Sequence, residues 1–260
     1  MEIDNEMYFR EDISWWDEGD DHETVFLRRF VNPIRFGFFQ RIIEQMPQGM
    51  AEGKKILDVG CGGGFLAEEF AKIGFEVTGM DPAPPSLKDA SRHAEQNHLK
   101  IRYIQGYGED IPLETGSFDY VACCDVLEHV ADVEKVIKEI SRVLQPAGLF
   151  FYDTINRNLF SYLAVIKIAQ DWRFTAWEMP RVHVWHKFIK PAELMALMEK
   201  YGLVHQEIRG ISSGANLFAV LLAAIKRAQG KISRLEMGVR MKLQESSNIK
   251  LSYMGYAFKK

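Results

Sequence analysis

The sequence is poor in cysteine and has no long apolar run. Its three cysteines, Cys61, Cys123 and Cys124, form no C-x-x-C pair, which argues against a zinc framework or a secreted disulfide scaffold. The longest apolar run, 217–225, is far shorter than the roughly 20 residues of a membrane-spanning helix. No basic segment followed by an apolar stretch stands at the N-terminus, so no signal peptide is predicted. The expected location is therefore the cytoplasm.

The chain also lacks an excess of positive charge. Its 32 Lys and Arg residues are outnumbered by 36 Asp and Glu residues, which gives a formal charge of −4. A protein dedicated to DNA or RNA needs a basic surface to displace counterions from phosphates, so no nucleic-acid partner is expected. Hydrophobic residues make up 47% of the 260 residues, and a chain of this size and composition can bury a core without disulfides or a structural metal.

The sequence does contain an alternation of short strand-like and longer helix-like stretches between about residues 54 and 154. Five strands are predicted at 55–59, 75–80, 101–105, 118–124 and 149–154, and helical patterns lie between them. Such alternation implies right-handed crossovers and a parallel sheet with helices on both faces. The predicted fold class is therefore a doubly wound α/β fold.

The regions outside this alternation are predicted to be additions to one domain over 1–260, because no Pro/Ser/Gly-rich linker separates them. Residues 1–53 are expected to form a helical N-terminal cap on the core at 54–154. An aromatic-rich insertion covers 155–190. The C-terminal half, 191–260, contains a second, helical insertion at 211–250 and a last strand at 251–258.

The strongest local signal is a glycine-rich stretch between the first strand and the helix that follows it. It reads Asp58-x-Gly60-x-Gly62-x-Gly64, whereas a bare strand-to-helix turn would need only one glycine. A dinucleotide fingerprint requires a glycine where Phe65 stands, so the pattern does not match an NAD site. A carboxylate at Asp58 would repel a pyrophosphate but suits a ligand that carries an ammonium and a sulfonium. The pattern therefore indicates S-adenosylmethionine.

A second acidic residue, Asp81, stands at the end of the second predicted strand, directly after Met80, and precedes Pro82. A carboxylate at this position can accept hydrogen bonds from both ribose hydroxyls of a nucleoside. NAD sites use the same contact, so Asp81 indicates a ribose without distinguishing the cofactor. The alternative is that Asp81 only caps the following helix.

These stretches together resemble the class I S-adenosylmethionine-dependent methyltransferases. Further matches are Gly108-Glu109-Asp110-Ile111-Pro112, Ser117-Phe118-Asp119-Tyr120-Val121 and Gln145-Pro146-Ala147-Gly148. The resemblance implies a Rossmann-like methyltransferase fold with a seven-stranded, mostly parallel sheet. It also implies S-adenosylmethionine as cofactor, with Glu109 and Asp110 near the adenine.

The flanking regions resemble one family more narrowly, the ubiquinone-biosynthesis O-methyltransferases, which include the 3-demethylubiquinol 3-O-methyltransferases. The matching stretches are 14–17, 32–37, 156–158 and 187–194, so the resemblance extends from about residue 14 to 205. It implies cofactor contacts at Arg35, Gly60, Asp81 and Cys124. The family usually has Met at the last position, so Cys124 is alternatively a small apolar wall or core residue. Arg35 is alternatively a solvated helix charge.

The family resemblance also draws attention to Asp125-Val126-Leu127-Glu128-His129, where eukaryotic members carry an E-x-x-E-H cluster linked to a divalent metal. If these residues form one helical turn, Asp125, Glu128 and His129 face one point and could bind Mg²⁺. In a competing interpretation His129 is a general base oriented by Glu128. A third interpretation is that the cluster merely shapes the pocket.

The expected function is O-methylation of a phenolic acceptor, a catechol or hydroquinone, in the manner of the ubiquinone-pathway enzymes and their polyprenyl intermediates. The aromatic stretch 159–177 is expected to be a lid over the pocket or a peripheral membrane contact. The second insertion departs from the family and would remodel the acceptor pocket or form a dimer contact. His183 and His186 are expected to be structural.

Two other functions remain open at this point. The chain could be a methyltransferase of the same fold that acts on another small molecule or natural product, or a non-catalytic scaffold that binds the cofactor. A third alternative, an NAD(P) oxidoreductase, fails on Phe65. The sequence leaves the oligomeric state open.

Overall fold

The computed structural model describes residues 5–11, 14–46 and 51–260. Residues 1–4, 12–13 and 47–50 of the predicted N-terminal cap lie outside the described residues. One sheet carries the fold, and its strands are β1 (Lys55–Val59), β2 (Glu76–Asp81), β3 (Ile101–Gln105), β4 (Phe118–Cys124), β5 (Leu144–Ile155), β6 (Leu203–Ser213), β7 (Leu243–Ser246) and β8 (Ser252–Lys259).

The order of strands in the sheet is β3-β2-β1-β4-β5-β8-β6-β7. Strands β1 to β5 pair in parallel, whereas β8 lies antiparallel to both β5 and β6. The order reverses between β1 and β4, and in open α/β sheets ligands bind beyond the carboxyl ends of the strands at this reversal. The doubly wound fold is confirmed.

The predicted count of seven strands is wrong by one, because the described residues form eight. The additional strand, β7, lies inside the predicted helical insertion 211–250 and pairs with the end of β6 over Gly210–Ser213. Its formation covers backbone groups that the long β6 would otherwise leave unpaired at the sheet edge.

The helices follow the apolar periodicity of the sequence. Pro33, Pro84 and Pro191 stand in the first turns of α1, α3 and α6, where a missing N–H costs nothing. The side chain of Asp132 caps α4 by accepting a hydrogen bond from the Lys135 amide. The helices are α1 (Asn32–Gln45), α2 (Phe65–Lys72), α3 (Pro84–Gln96), α4 (Val133–Val143), α5 (Leu159–Ser161), α6 (Pro191–Lys200), α7 (Leu217–Ala228) and α8 (Arg234–Met241).

Two buried layers hold the helices against the sheet. On one face, α4 and α6 contribute Val136, Ile140 and Met198 to a core shared with β1, β4 and β5. On the other face, α1 and α2 contribute Phe39 and Phe70. Removal of these apolar side chains from water is the main stabilising term, and it fixes the loops at the strand ends against one rigid scaffold.

The three regions outside the core are partly helical. A 3₁₀ helix covers Glu6–Phe9, and a π-helix, Leu27–Val31, leads into α1. The aromatic insertion begins with α5 and continues as a π-helix over Tyr162–Asp171. In residues 5–11, 14–46 and 51–260, no helix is both long and apolar enough to cross a bilayer. The division of the chain into one domain stays a prediction.

Candidate active site

A cavity of about 630 Å³ lies at the carboxyl ends of β1, β2 and β4, next to the reversal in strand order. This volume is ordinary for a small-molecule site. The cavity brings together most of the residues that the sequence predicted to bind a cofactor. They are Arg35, Asp58, Gly60, Gly62, Asp81, Pro82, Glu109 and Cys124.

Asp58 lies near the end of β1 with its carboxyl group buried in the cavity wall. Its Oδ2 atom is buried and has no hydrogen-bond partner among the described residues. Burial raises the pKa of Asp58 to about 7; nearby Arg35 opposes this shift and Asp81 adds to it. An unpartnered buried carboxylate is costly, so this atom fits the contact with a positive group that the sequence predicted.

Gly60 allows the loop after β1 to turn beside the cavity. Its φ angle is +72°, and a Cβ atom would lie 2.2 Å from Cγ2 of Val126. The backbone amides of Gly60 and Cys61 both donate to the carbonyl of Met80, which fastens the loop to β2. Gly64 has a different position. It is the N-cap of α2 and lies outside the cavity lining formed by the described residues.

Asp81 fastens the glycine loop from the other side. Its Oδ2 atom accepts a hydrogen bond from the Gly62 amide, and its Oδ1 atom accepts one from the Ala83 amide, both at 2.9 Å. Helix α3 begins at Pro84 with Ala83 as its N-cap, so Asp81 is not the cap residue. Each oxygen keeps a free lone pair, and both Asp81 and Pro82 line the cavity.

Of the two residues that were predicted to lie near the adenine, only Glu109 lines the cavity. Glu109 lines the cavity, and its Oε1 atom accepts a hydrogen bond from the Ala131 amide at 2.9 Å. Asp110 is exposed and lies outside the lining that the described residues form, so its predicted contact lacks support from its position. Cys124, at the end of β4, is buried in the cavity wall.

Arg35 is buried, which excludes the alternative of a solvated helix charge. Its Nη2 atom donates to Oδ2 of Asp125 at 2.5 Å and to Oδ1 of Asp153 at 3.0 Å. Burial opposes ionisation of Asp125, but the charge of Arg35 and its hydrogen bond prevail and lower the pKa of that carboxyl. Because Arg35 also lines the cavity, it still can face an acidic group of a ligand.

The predicted helical turn over 125–129 is wrong. Asp125 has a φ of +54°, and helix α4 begins only at Val133. As a result, Asp125 turns to Arg35, whereas Glu128 is buried outside the cavity lining and accepts a hydrogen bond from Thr154 at 2.8 Å. Among the described residues, no three His, Cys, Asp or Glu side chains are placed to hold a metal ion. The Asp125, Glu128 and His129 set therefore does not fit Mg²⁺.

His129 lines the same cavity as the glycine loop. Burial lowers its pKa to about 3; His183 and Lys187 add to this shift and Asp125 opposes it. The imidazole is therefore neutral near pH 7 and can accept a proton. Burial raises the pKa of the neighbouring Glu128, with Asp125 adding to the shift, so this carboxyl favours its neutral form.

The N-terminal segment, in which no site residue was predicted before Arg35, covers the glycine loop. The ring of Trp15 lies so close to Gly62 that a Cβ atom there would approach it to 2.8 Å. Trp15 is held by hydrogen bonds from its amide to Asp89 and from its indole to Ser86. Tyr8 stacks on Trp15, with ring centroids 6.0 Å apart. The pattern of the sequence does not show that Trp15 lies against Gly62, 47 residues later in the chain.

The histidines that the sequence analysis treated as structural also lie near the cavity. The ring centroid of His183 is 5.5 Å from that of His129, and Nδ1 of His183 is buried with no partner in the described part of the chain. His186 and Lys187 line the cavity. They are the only residues of the 155–190 insertion in the lining formed by the described residues, so the aromatic side chains of that insertion do not form the cavity wall.

Comparisons with known proteins identify the family. A model named "Methyltransferase domain" matches residues 57–152. The ubiquinone biosynthesis O-methyltransferase of Actinobacillus pleuropneumoniae is 38% identical over 203 residues, which cover 76% of this chain and 82% of that protein. The chain belongs to the ubiquinone biosynthesis O-methyltransferase family.

Solved structures agree on the fold of this methyltransferase. The YcgJ protein of Bacillus subtilis has a TM-score of 0.60 at 20% identity, covering 87% of this chain and 98% of its own. A SAM-dependent methyltransferase from Aquifex aeolicus has a TM-score of 0.56 at 14% identity, covering 92% and 95%. The domain match and the family make the protein an S-adenosylmethionine-dependent methyltransferase. The unpartnered Asp58 oxygen and the glycine loop fit that cofactor.

Proposed function

We propose that this methyltransferase methylates a phenolic oxygen, on a catechol or a hydroquinone, and that its natural acceptor is a lipophilic polyprenyl intermediate of the ubiquinone pathway. One observation carries the proposal. A neutral imidazole, His129, stands in the wall of the same cavity as the cofactor loop, where an acceptor hydroxyl would have to lose its proton.

The cofactor would be held by groups from the three strand ends. Asp58 would face the ammonium group, Asp81 the ribose hydroxyls, and the backbone of Gly60 and Gly62 would pack against the ligand. Arg35 would face the carboxylate, while Glu109 and Cys124 would line the remaining wall. When bound, S-adenosylmethionine supplies a methyl group on a positively charged sulfur that is already a good leaving group.

The protein must therefore supply orientation, a dry cavity and a destination for the proton. Holding the acceptor oxygen at near-attack distance replaces a bimolecular encounter and accounts for much of the rate. Val59, Phe65, Leu66 and Val126 give the cavity apolar walls, which would help to keep water away from the bound reactants.

His129 is the proposed general base even though its imidazole is weakly basic. A free phenol, with a pKa near 10, would not give its proton to an imidazole whose pKa is about 3. The acceptor oxygen becomes far more acidic as its bond to carbon forms, however, so the transfer becomes favourable late in the reaction. A low pKa also keeps the imidazole unprotonated throughout the physiological range.

The exposed aromatic residues of the two insertions support a lipophilic acceptor. Phe174 is 80% exposed and Phe218 is 76% exposed, and Leu159 and Leu217 are also largely exposed. Exposed apolar side chains of this kind are typical of proteins that lie at a membrane interface. We propose that these exposed residues contact a bilayer, from which a polyprenyl acceptor would reach the cavity.

The experiment is an acceptor screen with the purified protein and methyl-labelled cofactor, in the presence of EDTA. We expect label on catechols and hydroquinones, and higher kcat/KM with a prenyl tail. We expect His129→Ala to lower kcat by about 100-fold or more without weakening cofactor binding. Transfer only to amines or carboxylates would contradict the proposal, as would full activity of His129→Ala. An absolute requirement for Mg²⁺ would contradict the metal-free mechanism.

A further inference from the structure

The N-terminal segment reaches His129 through one side chain, that of Asn5. Its Nδ2 atom donates to the backbone carbonyl of His129 at 3.3 Å, and its Oδ1 atom lies 3.2 Å from Nδ1 of the imidazole. Asn5 is therefore bound twice to one residue that lies 124 positions away in the chain.

The two contacts together define the proton position on the ring. A carbonyl oxygen can only accept, so it must face the NH₂ side of the Asn5 amide, and this fixes the amide against a flip. The oxygen of the amide then faces Nδ1. Because that oxygen can only accept, Nδ1 must carry the hydrogen. A neutral imidazole has one N–H, so Nε2 is left with the lone pair.

We infer that Asn5 is a positioning residue that selects the Nδ1–H tautomer of His129 and thereby makes Nε2 the atom that receives the acceptor's proton. The inference rests on the proposed role of His129 as the base. Its role resembles that of the aspartate in a Ser-His-Asp triad, which holds the imidazole in one tautomer without itself exchanging a proton.

The same segment connects this choice to the cofactor cavity. Tyr8 packs edge-on against the His129 ring at 6.1 Å and stacks on Trp15, which covers the glycine loop. The Tyr8 carbonyl accepts a hydrogen bond from Ser86 on α3. The same N-terminal segment therefore selects the tautomer and covers the glycine loop. A molecule in which this segment is displaced would lack both features.

Two substitutions separate tautomer selection from the filling of space. Asn5→Leu keeps the volume and removes both hydrogen bonds. Asn5→Asp keeps an acceptor for Nδ1–H, replaces the donor by a second carboxylate oxygen, and adds a negative charge that favours a hydrogen on Nδ1. Glu11→Gln is the control, because Glu11 is an exposed residue of the same N-terminal region. The ¹⁵N spectrum of the labelled protein reports the tautomer directly, with the His129 signals identified by their loss in His129→Gln.

We expect the unsubstituted protein, Asn5→Asp and Glu11→Gln to show a protonated Nδ1 and an unprotonated Nε2. Asn5→Leu is expected to show a mixture of tautomers and a kcat lower by about 10- to 100-fold. The KM for the cofactor should change much less than kcat. The inference is overturned if Asn5→Leu keeps the single tautomer, or if it loses the tautomer with no loss of kcat.

These outcomes are distinct from failure of the proposed function. If His129→Ala is fully active, His129 is not the base, whatever the ¹⁵N spectrum of Asn5→Leu shows. If His129→Ala is inactive and Asn5→Leu retains both activity and the Nδ1–H signal, only the role of Asn5 is excluded. Thermal unfolding of each variant shows whether a loss of activity reflects loss of the fold.

Discussion

The Nη2 atom of Arg35 lies 2.5 Å from Oδ2 of Asp125, a residue whose φ angle of +54° turns its side chain back toward helix α1. The same nitrogen is 3.0 Å from Asp153, which is also buried. One guanidinium thus contacts two acidic side chains, of which Asp125 lines the cavity and Asp153 is buried behind it. This arrangement explains why Asp125 is not available as a metal ligand.

Removal of the guanidinium should destabilise the protein strongly. Arg35→Leu would leave the buried Asp153 without its counter-charge, and breaking a buried pair costs about 3–5 kcal/mol. The free energy of unfolding in urea measures the effect. Arg41→Ala, on the exposed side of the same helix, removes ion pairs to Glu245 and Glu207 and should cost less than about 1 kcal/mol. Equal losses of unfolding free energy in the two variants would show that the buried pair contributes no more to stability than the exposed pairs do.

Cofactor binding should strengthen as the pH rises through about 7. In the free protein burial raises the pKa of Asp58 to about 7, so its carboxyl is neutral at lower pH and must ionise to face an ammonium group. The affinity for the demethylated cofactor, measured by calorimetry, should fall by up to about tenfold per pH unit below that value. Asp58→Asn should bind weakly at every pH.

The control is Glu128→Gln, since Glu128 is a buried carboxyl with a raised pKa that lies outside the described cavity lining. This variant should keep the pH dependence of binding. In the absence of ligand, the effect of Asp58 on the free energy of unfolding has the opposite pH dependence. The raised pKa of Asp58 stabilises the fold fully below its unfolded-state value near 4, and this contribution is lost as pH rises through about 7. A pH-independent affinity of the unsubstituted protein would contradict the role of Asp58.

Substitution of one glycine should weaken cofactor binding, whereas substitution of another should not. Gly60→Ala places a Cβ atom 2.2 Å from Val126 Cγ2 in a left-handed conformation that costs about 1–2 kcal/mol. We expect at least about a tenfold loss of cofactor affinity. Gly37→Ala adds its Cβ atom to α1 with nothing within 4 Å, and should leave affinity unchanged and stabilise the helix by up to about 1 kcal/mol. Similar affinities for both variants would exclude a close approach at Gly60.

The exposed aromatic residues should determine binding to lipid. A double variant, Phe174→Ser with Phe218→Ser, removes two apolar side chains whose burial is each worth about 1.5–3 kcal/mol. Flotation with anionic liposomes should show binding of the unsubstituted protein and a loss of at least about tenfold in the double variant. Val239→Ser, at an exposed position on α8, is the control and should bind normally. Absence of binding by the unsubstituted protein would exclude the membrane contact.

The core of the fold was predictable because its signals are local. Strands β1, β3 and β4 have the predicted bounds, since apolar runs that end in turn residues specify buried parallel strands. The additional strand, β7, was not predictable, because it is short and mostly polar and forms only by pairing with the end of β6. A four-residue strand of this kind has no pattern of its own.

The residues of the site also differ in how far the sequence predicts them. The glycine loop and Asp81 were recognisable because their chemistry depends on spacing within one segment. The assignment of Asp125, Glu128 and His129 to one point failed because spacing predicts a shared face only if the segment is helical, and Asp125 has a left-handed φ instead. Long-range charge compensation by Arg35, 90 residues away, selected the conformation.

The amino-acid sequence by itself determined the strands and helices of the core, the glycine-rich loop and the family, because each depends on residues that are close in the chain. Only the tertiary structure decided which acidic side chains are free to meet a ligand, and that Asn5 and Trp15 belong to the active site. Burial and hydrogen-bond partners arise from segments far apart in sequence, and these contacts determine the charge and tautomer of each group.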